Sequence, residues 1–324
     1  MTETGRVSRN RCEVSVVIPC HNAGLYVSEA VESVLAQVSD VRSLEVVVVD
    51  DHSSDPTTLE LLDGWCQVGS GVRVVRNTGS RGPGAARNLG IHEASGEWIA
   101  FLDADDVWRA GGLQARWAVA ESEPDAQWIA ADFQVFSEGE PAAAVWHNAG
   151  ANISRAMLAC AYTTKKSMRL VRPVAELLRC HLVCSPTVMV KRALLQEVGG
   201  FDERLIMAQD LHLWLRLARC SDLFFVPESV ALVREHAASH TRQARVPGAW
   251  DIAMYSLLWR DESFRPHRAD LAQRLAATYQ RVAYYHRLRG EWWKVARAAA
   301  GALRFAPTSR GSWKNMAAAL LRRR

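Results

Sequence analysis

Four short apolar segments, each followed by polar residues, dominate the first third of the chain. They are Glu13–Pro19, Leu44–Val49, Val72–Val75 and Trp98–Leu102, and β-branched residues are common in the first two. Apolar runs of this length, bounded by polar turns, indicate strands that are buried on both faces. Because helix-length stretches separate them, the pattern predicts an α/β fold with a doubly wound, mostly parallel sheet.

The stretches between these strands have the features of helices. Asn22–Gln37 carries apolar residues at helical spacing. Asp55–Trp65 begins with an Asp suited to the N-cap and a proline suited to the first turn. A glycine-rich loop, Gly79–Gly84, precedes a third helix over residues 85–94. Ligands of such sheets bind beyond the carboxyl ends of the strands, where the polar segments Pro19–Asn22, Asp50–Ser54 and Asp103–Asp106 all lie.

Three acids, Asp103, Asp105 and Asp106, follow the fourth apolar segment directly. Carboxylates at the end of a buried strand repel one another and lose solvation unless a cation compensates them. Their oxygens suit hard divalent ions such as Mg²⁺ or Mn²⁺, and a phosphate-bearing substrate would complete the coordination shell. A solvated acidic turn is the alternative, and the context of the three acids decides between the two.

The second half of the chain is predicted from weaker signals. Ser185–Val190 is predicted as a strand, Arg192–Val198 as a short helix and Gly199–Gly200 as a turn. A helix is expected over Leu211–Ala218 and a last strand over Leu223–Val226. Helical patterns then continue to the end of the chain, over Ala249–Leu258, Asp270–Leu288, Trp292–Phe305 and Ser312–Leu321.

Composition limits the compartment and the partners. The seven cysteines are scattered and form no C-x-x-C pair, which is typical of thiols in a reducing compartment. The N-terminal residues lack the apolar segment of a signal peptide, and no apolar run reaches the roughly 18–20 residues of a spanning helix. We therefore expect a cytoplasmic protein.

The net charge of +4 conceals an uneven distribution of charge. Residues 261–324 contain 14 Lys or Arg against 4 Asp or Glu, which leaves an acidic balance for the rest of the chain. The last helix, which precedes Arg322–Arg324, has an apolar face. We expect it to lie on an anionic membrane surface at its inner face, although the same face could instead pack on the catalytic domain. That face consists of Trp313, Met316, Ala317, Leu320 and Leu321.

Six motifs occur in an order and spacing that resemble the family 2 glycosyltransferases of the GT-A fold. They are VSVVIPCHN, EVVVVDDHSSD, GPGAARNLG, FLDADD, GGFDE and QDLHLWLR, and the resemblance extends roughly from Val14 to His236. It implies a GT-A catalytic domain over residues 11–240 and a basic helical region over 248–324. It also implies an inverting transferase that moves a sugar from a nucleotide donor, UDP-linked, to a hydroxyl of a glycan or glycolipid in surface polysaccharide biosynthesis.

The resemblance implies a role for each residue at the strand ends. Asp51 would accept a hydrogen bond from the uracil N–H, which suits a carboxylate. Asp50 would turn inward or cap the next segment, and His21 would pack on the base or cap its loop. Arg87 would contact the nucleotide, steady the acids or serve a structural role. Further nucleotide-binding residues are expected to be Pro19, Asn22, Ser53, Gly84, Asn88 and Asp103.

The resemblance also assigns metal and catalytic roles. Asp105 would bind Mn²⁺ or Mg²⁺ directly, Asp103 would lie near the metal and ribose, and His236 would reach the metal or form a loop hydrogen bond. Asp210 would act as general base for the acceptor hydroxyl. The family's Glu before this Asp is replaced by Gln209, which we place on the acceptor side together with Trp108, a residue that could stack on a sugar face.

Three rival functions were weighed against this prediction. A Rossmann dehydrogenase needs G-x-G-x-x-G after the first strand, where this chain has PCHNAG. A degenerate transferase fold that acts as a scaffold is supported only by Gln209. Nucleic-acid binding through the basic tail lacks a recognised motif.

Overall fold

The computed structural model describes residues 12–67, 71–137, 147–148, 161–163, 167–180, 183–236 and 246–321. The chain divides into two compact units. The first contains Met1–Arg172, Leu182–Glu203 and Cys220–Glu235. The second contains Pro173–His181, Arg204–Arg219 and His236–Arg324. Each unit is built from its own set of elements.

The first unit begins with four parallel strands, β1 (Val14–Cys20), β2 (Leu44–Asp50), β3 (Val72–Arg76) and β4 (Trp98–Phe101). Their order in the sheet is β3-β2-β1-β4. Helices α1 (Tyr26–Leu35), α2 (Pro56–Trp65) and α3 (Pro83–Glu93) connect them. The predicted alternation of strands and helices is therefore confirmed, with shifts of a few residues at the element ends.

Helix α2 begins as its sequence predicts. Asp55 is the N-cap and accepts a hydrogen bond from the backbone N of Thr58 at 2.8 Å, and Pro56 occupies the first turn. An N-cap of this type satisfies an amide that has no partner inside the helix, and proline costs nothing where no N–H is needed. The chain is thus turned back towards the sheet immediately after β2.

Beyond β4 the sheet becomes mixed. The added elements are β5 (Val107–Trp108), α4 (Gly112–Ser122), β6 (Trp128–Ser137), β7 (His147–Asn148), β8 (Ala161–Thr163), β9 (Met168–Leu170), β10 (Met189–Lys191), α6 (Arg192–Val198) and β11 (Leu223–Glu235). Strand β10 lies antiparallel between β4 and β6. Strand β11 is parallel to β6 and antiparallel to β5 and β9.

Two predictions in this half are corrected. The segment Ser185–Thr187 is a 3-10 turn, and only the following residues form β10. Strand β11 has 13 residues and does not end at Val226. Pro227 interrupts the apolar run, but β11 continues because register shifts after Val226 and Ser229 accommodate the break in pairing with β6.

The second unit is helical. Its elements are α5 (Val174–Arg179), α7 (Gln209–Cys220, all but its last residue), α8 (Ala249–Arg260), α9 (Arg268–Leu288), α10 (Trp292–Phe305) and α11 (Arg310–Leu321). Arg274 of α9 donates hydrogen bonds to the carbonyls of Leu178 and Arg179 at the end of α5. Cations at helix C-termini satisfy carbonyls that have no partner within the helix.

Helices α9, α10 and α11 share a small apolar core. It consists of Val282, Ala283, Val295, Ala298 and Ala319. Close packing of α9 on α10 needs a glycine, because a Cβ on Gly301 would lie 2.5 Å from the Tyr279 ring. None of the helices in the described ranges is long and apolar enough to cross a bilayer.

Gly90 and Gly64 provide a matched test of the packing of α3 on the sheet. A Cβ on Gly90 would lie 2.3 Å from a methyl of Val17, whereas a Cβ on Gly64 in α2 would meet nothing within 4 Å. Gly90→Ala should therefore destabilise the first unit by about 1–3 kcal/mol through overpacking. Gly64→Ala should stabilise it by about 0.5–1 kcal/mol because alanine favours a helix.

Chemical denaturation of both variants measures these differences in the free energy of unfolding. Similar stabilities for Gly90→Ala and Gly64→Ala would contradict the close approach of α3 to β1.

Candidate active site

The loops after β1 and β2 are tied to each other through Asn22. This residue has a left-handed backbone, with φ of 50°. Its Oδ1 accepts hydrogen bonds from the backbone N atoms of Ser54 and Asp55, at 2.7 and 2.9 Å. Its own backbone N donates to Ser53 Oγ at 3.1 Å. Asn22 and Ser53 thus form part of the scaffold at the strand ends, beside the half-buried Pro19.

His21 is held in one tautomer by this scaffold. Its Nδ1 lies 2.8 Å from the carbonyl of Asp51, which can only accept, so Nδ1 carries the proton. Its Nε2 lies 3.3 Å from Asn22 Nδ2, and the orientation of that amide is set by the two donors on its oxygen. His21 therefore caps the loop, which was one of its two predicted roles; packing on a base stays a prediction.

Asp50 turns inward and is buried, which is one of the two roles predicted for it. It accepts hydrogen bonds from the backbone N of Ser53 at 3.0 Å and from Arg76 at 2.6 Å. Burial alone would raise the pKa of Asp50, but the bonds from Ser53 and Arg76 outweigh it and hold this pKa below its usual value. Asp50 is thus an ionised anchor for the β2 loop.

Asp51 organises the glycine-rich loop. Its Oδ1 accepts from Asn77 Nδ2 at 2.7 Å, and its Oδ2 accepts from the backbone N of Gly82 at 2.8 Å. Asn77 in turn donates to the carbonyl of Ser80 and accepts from the backbone N of Gly79. A carboxylate has further lone pairs beyond these two bonds. Binding of a base N–H by Asp51 stays a prediction.

Arg87 joins α3 to the first acid of the D-x-D-D segment. The buried guanidinium forms an ion pair with Asp103 through Nη2, and its Cζ lies 5.4 Å from the centre of the Phe201 ring. Its Nε and Nη1 have no hydrogen-bond partner among the described residues. Buried donors without a partner are costly, so Arg87 has capacity for an anionic ligand. Gly84, one turn earlier, is also buried.

Asn88 has a different role from the one expected. Its side chain accepts from the backbone N of Phe201 at 2.8 Å and donates to the carbonyl of the same residue at 2.9 Å. It also donates to Glu203 at 3.0 Å. Asn88 therefore clamps the G-G-F-D-E loop rather than facing a ligand, and this loop places Phe201 over Arg87. The sequence offered one signal for this contact: Asn88 follows Arg87, and a glycine pair, Gly199–Gly200, precedes Phe201.

Asp106 is buried and turned away from solvent, with 4% exposure. Burial and the charges of Asp103 and Asp105 raise its pKa well above the usual value. The backbone N of Arg234 donates to its Oδ1 at 2.8 Å, and Arg234 Nε donates to the carbonyl of Asp105 at 2.9 Å. Arg234 also stacks near the Tyr26 and Phe136 rings, at 4.6 and 4.7 Å.

The expected mutual repulsion of the three acids is thus relieved within the protein. Asp103 is paired with Arg87, and burial together with the neighbouring charges raises the pKa of Asp106, so a metal ion is not the only way to tolerate the cluster. In the described part of the chain no group of three or more His, Cys, Asp or Glu side chains forms a metal-binding set. Asp103 and Asp105 offer two carboxylates. Such a set fits Mg²⁺ or Mn²⁺ when substrate phosphates supply further ligands.

Gln209 and Asp210 form the first turn of α7 in the second unit. The preceding Ala208 has a left-handed backbone, with φ of 59°, which is uncommon for a residue with a Cβ. Gln209 is buried, and its Oε1 has no hydrogen-bond partner in the described ranges. Asp210 is half-buried and accepts from the backbone N of Leu211 at 2.7 Å. Its role as base and the acceptor contact of Gln209 stay predictions.

Trp108 does not face an acceptor, so this prediction is wrong. The residue is 3% exposed, and its Nε1 donates to the carbonyl of Pro186 at 2.8 Å. One face of the ring is covered by the guanidinium of Arg116, 4.2 Å from the ring centre. Burial lowers the pKa of Arg116 to about 9. Trp108 is therefore a core residue.

His236 is half-buried and belongs to the second unit. It follows β11 directly, and its predicted place at the metal or diphosphate stays a prediction. Asn77 and Phe201 are the residues that sequence reasoning missed. A polar residue after β3 and an aromatic after a glycine pair are too common in sequences to signal a site.

Comparison with known proteins identifies the family. The model described as Glycosyl transferase family 2 matches residues 15–199, more than half of the chain. The chain therefore belongs to glycosyltransferase family 2, as its motifs predicted.

Several curated relatives are similar over part of their length. GlyG of Streptococcus pneumoniae serotype 4 is 31% identical over 127 residues, which cover 39% of this chain and 41% of GlyG. The uncharacterized glycosyltransferase RP339 of Rickettsia prowazekii is 27% identical over 71% of this chain and 66% of its own length. WfgD of Escherichia coli, a UDP-Glc:alpha-D-GlcNAc-diphosphoundecaprenol beta-1,3-glucosyltransferase, is 38% identical over 31% of this chain and 38% of WfgD. The matches span less than two thirds of these relatives.

Solved structures share the fold. TarS 1–349 of S. aureus in complex with UDP-GlcNAc has 18% identity and a TM-score of 0.59, over 93% of this chain and 91% of that one. The mannosyltransferase PcManGT of Pyrobaculum calidifontis, in complex with GDP-Man and Mn²⁺, has 19% identity and a TM-score of 0.60, over 97% and 81%. The predicted GT-A fold is confirmed.

Asp51→Asn should loosen the glycine-rich loop. The amide NH₂ would face a donor on either side, Asn77 Nδ2 or the backbone N of Gly82, so one buried hydrogen bond is lost at a cost of about 1–3 kcal/mol. Thermal unfolding and hydrogen exchange at Gly82 measure the effect. Asp63→Asn, the same substitution at a side chain that is 74% exposed, is the control and should change little. Equal protection of Gly82 in all three proteins would contradict the anchoring role of Asp51.

Proposed function

We propose that this chain is an inverting glycosyltransferase that moves a sugar from a nucleoside diphosphate donor to a hydroxyl of a glycan or glycolipid. The observation that carries the proposal is the arrangement at the carboxyl ends of β2 and β4. There Asp51 holds the glycine-rich loop, and Arg87 holds Asp103 with two buried donors to spare. Strand β1 lies between β2 and β4, so the two features belong to one edge of one sheet.

Uracil is the proposed base of the nucleotide donor. Asp51, Pro19, His21, Asn22 and Ser53 would form the base and ribose site, with Asp51 accepting the pyrimidine N–H. The structures of TarS in complex with UDP-GlcNAc and with UDP support this choice. The GDP-Man complex of PcManGT has the same fold with another base, so the choice rests on Asp51 rather than on the fold.

The diphosphate would meet Arg87 and a divalent ion. Arg87 forms an ion pair with Asp103 and has unused Nε and Nη1 donors, which suit phosphate oxygens. Asp105, with Asp103 beside it, would hold Mn²⁺ or Mg²⁺. When bound, that ion stabilises the negative charge that develops on the leaving nucleoside diphosphate. Arg234 would position Asp105 by holding its carbonyl.

Asp210 would take the proton of the acceptor hydroxyl as it attacks the anomeric carbon. A direct attack on the face opposite the leaving group inverts the anomeric configuration. Gln209 has a buried Oε1 that lacks a partner in the described ranges, and we assign it to acceptor binding. Retention of Asp51, Asp103, Asp105 and Asp210 argues against a scaffold without activity.

The acceptor would be lipid-linked, in surface polysaccharide synthesis, and the protein would act in the cytoplasm at the inner face of the membrane. The relative WfgD, a transferase named for its GlcNAc-diphosphoundecaprenol acceptor, supports this class of acceptor. A lipid-linked acceptor stays in the bilayer, so a peripheral enzyme gains by remaining beside it. No nucleic acid is needed for this reaction.

Metal-supported donor binding is the first test. UDP should bind at least tenfold more tightly with Mn²⁺ than with EDTA, because an ion held by Asp105 and Asp103 would attract the negatively charged diphosphate. Asp105→Asn should remove most of this difference. Asp106→Asn is the matched control, since Asp106 is buried and an amide oxygen can still accept the hydrogen bond from the backbone N of Arg234. Calorimetric titration of UDP measures all three. Equal affinity with Mn²⁺ and EDTA would refute metal-supported binding.

The base assignment is tested with Asp210→Asn. Removal of a general base should reduce transfer by about 10²–10⁴-fold, while UDP affinity stays within a few fold. Gln209→Glu, which restores the usual family residue, should change acceptor use more than rate. Steady-state transfer assays with a panel of acceptors, together with UDP titration, measure these effects. Turnover close to wild type in Asp210→Asn would exclude it as base.

A further inference from the structure

The C-terminal helices carry large apolar side chains that nothing in the described chain covers. Tyr284 and Leu288 end α9, Trp293 begins α10, and Leu320 and Leu321 end α11. Their exposed fractions range from 47% for Tyr284 to 78% for Leu321. The opposite side of α11 is the packed one, since Ser312 and Ala319 are buried. Within the described residues, Leu320 and Leu321 of the apolar face predicted for α11 are therefore exposed.

These five residues lie at one end of the three helices. Only Arg289–Glu291 separate α9 from α10, so the end of α9 and the start of α10 are adjacent. Gln280 of α9 donates to Ser309 and Ser312 at the start of α11, at 2.9 and 3.2 Å. Ala319 shares a core with Ala283 and Val295. Helix α11 therefore runs from the middle of α9 towards its end.

We call this set, Tyr284, Leu288, Trp293, Leu320 and Leu321, the apolar tip. Trp313 is also exposed, at 56%, but it lies at the other end of α11. At a rise of about 1.5 Å per residue, the seven residues from Trp313 to Leu320 separate them by roughly 10 Å along the axis. The tip and Trp313 can therefore be distinguished by mutation.

Cations surround the apolar tip. Arg287 and Arg289 are exposed beside Leu288. The Arg287 guanidinium lies 5.7 Å from the Tyr284 ring centre, and Lys294 Nζ lies 5.6 Å from that of Trp293. From Tyr284 to the end, the sequence has ten Lys or Arg and one acid, Glu291, which is paired with His286 and Lys294.

This chemistry selects one occupant. A second copy would bring the same cationic surface against itself, which like-charge repulsion opposes. A nucleic acid would use the cations but would leave the leucines without a partner. Aromatic and aliphatic side chains flanked by Arg and Lys match the boundary between headgroups and acyl chains of an anionic bilayer.

We propose that the apolar tip inserts end-on into an anionic lipid surface, with α9, α10 and α11 standing on the membrane rather than α11 lying along it. This goes beyond the proposed activity and does not depend on it, since the apolar tip would bind lipid without donor or acceptor. The cations would contact phosphate or carboxylate headgroups, and the five apolar side chains would enter the acyl boundary.

Flotation of the full chain with vesicles tests the proposal. Binding to vesicles of phosphatidylcholine with 30% phosphatidylglycerol at low salt should exceed binding to pure phosphatidylcholine at least tenfold, and should fall with added salt. The double variant Leu288→Ser, Trp293→Ser should bind anionic vesicles at least fivefold more weakly. Trp313→Ser, which alters an equally exposed tryptophan, should stay within twofold of wild type. Circular dichroism confirms that each variant is folded.

Each other outcome overturns the proposal. Equal binding to both vesicle types, or no binding, excludes an anionic lipid surface. A loss in Trp313→Ser as large as in the double variant indicates that α11 lies lengthwise. Self-association that the double variant abolishes, seen by sedimentation, identifies a second copy as the occupant. If Leu288→Ser, Trp293→Ser is unfolded, Leu320→Ser, Leu321→Ser at the end of α11 replaces it. UDP binding by the wild type reports separately on the proposed function.

Discussion

The ion pair of Arg87 with Asp103 is the interaction on which the candidate site depends. It joins the helix after the glycine-rich loop to the end of β4, and it places a buried cation beside the acids. The Phe201 ring packs against the guanidinium, and Asn88 fixes the loop that carries Phe201. One charge is therefore held by contributions from three distant parts of the sequence, and a strand end with three carboxylates becomes stable before any ligand binds.

Arg234 supplies a second, separate support for the same acids. Its backbone N binds Asp106 and its side chain binds the carbonyl of Asp105, while Tyr26 and Phe136 pack near the guanidinium. The buried Asp106 thus connects β11 to the acidic turn, which leaves Asp103 and Asp105 as the carboxylates nearer to solvent. The chemistry of the three acids differs because their surroundings differ, although the sequence presents them as equals.

Sequence reasoning was most successful where the signal is local. The short apolar runs predicted β1, β2 and β4, and Asp55 with Pro56 predicted the start of α2. It failed where a distant partner decides: Trp108 was assigned to the acceptor although Pro186 and Arg116 enclose it, and β11 was ended at Pro227 although β6 carries the pairing past it. Asn88 belonged to a recognised motif, but its partner lies more than a hundred residues away.

The stacking of Arg116 on Trp108 gives this tryptophan an electrostatic part in the fold. Burial is the cause that lowers the pKa of Arg116, and carbonyls of Gly112 and Pro186 are its hydrogen-bond acceptors. The negative face of the indole ring therefore attracts the buried guanidinium, as a carboxylate does in an ion pair. An aliphatic side chain of the same volume would fill the space but would offer the guanidinium no cation–π attraction. An aromatic ring therefore suits position 108 by its charge distribution as well as by its shape.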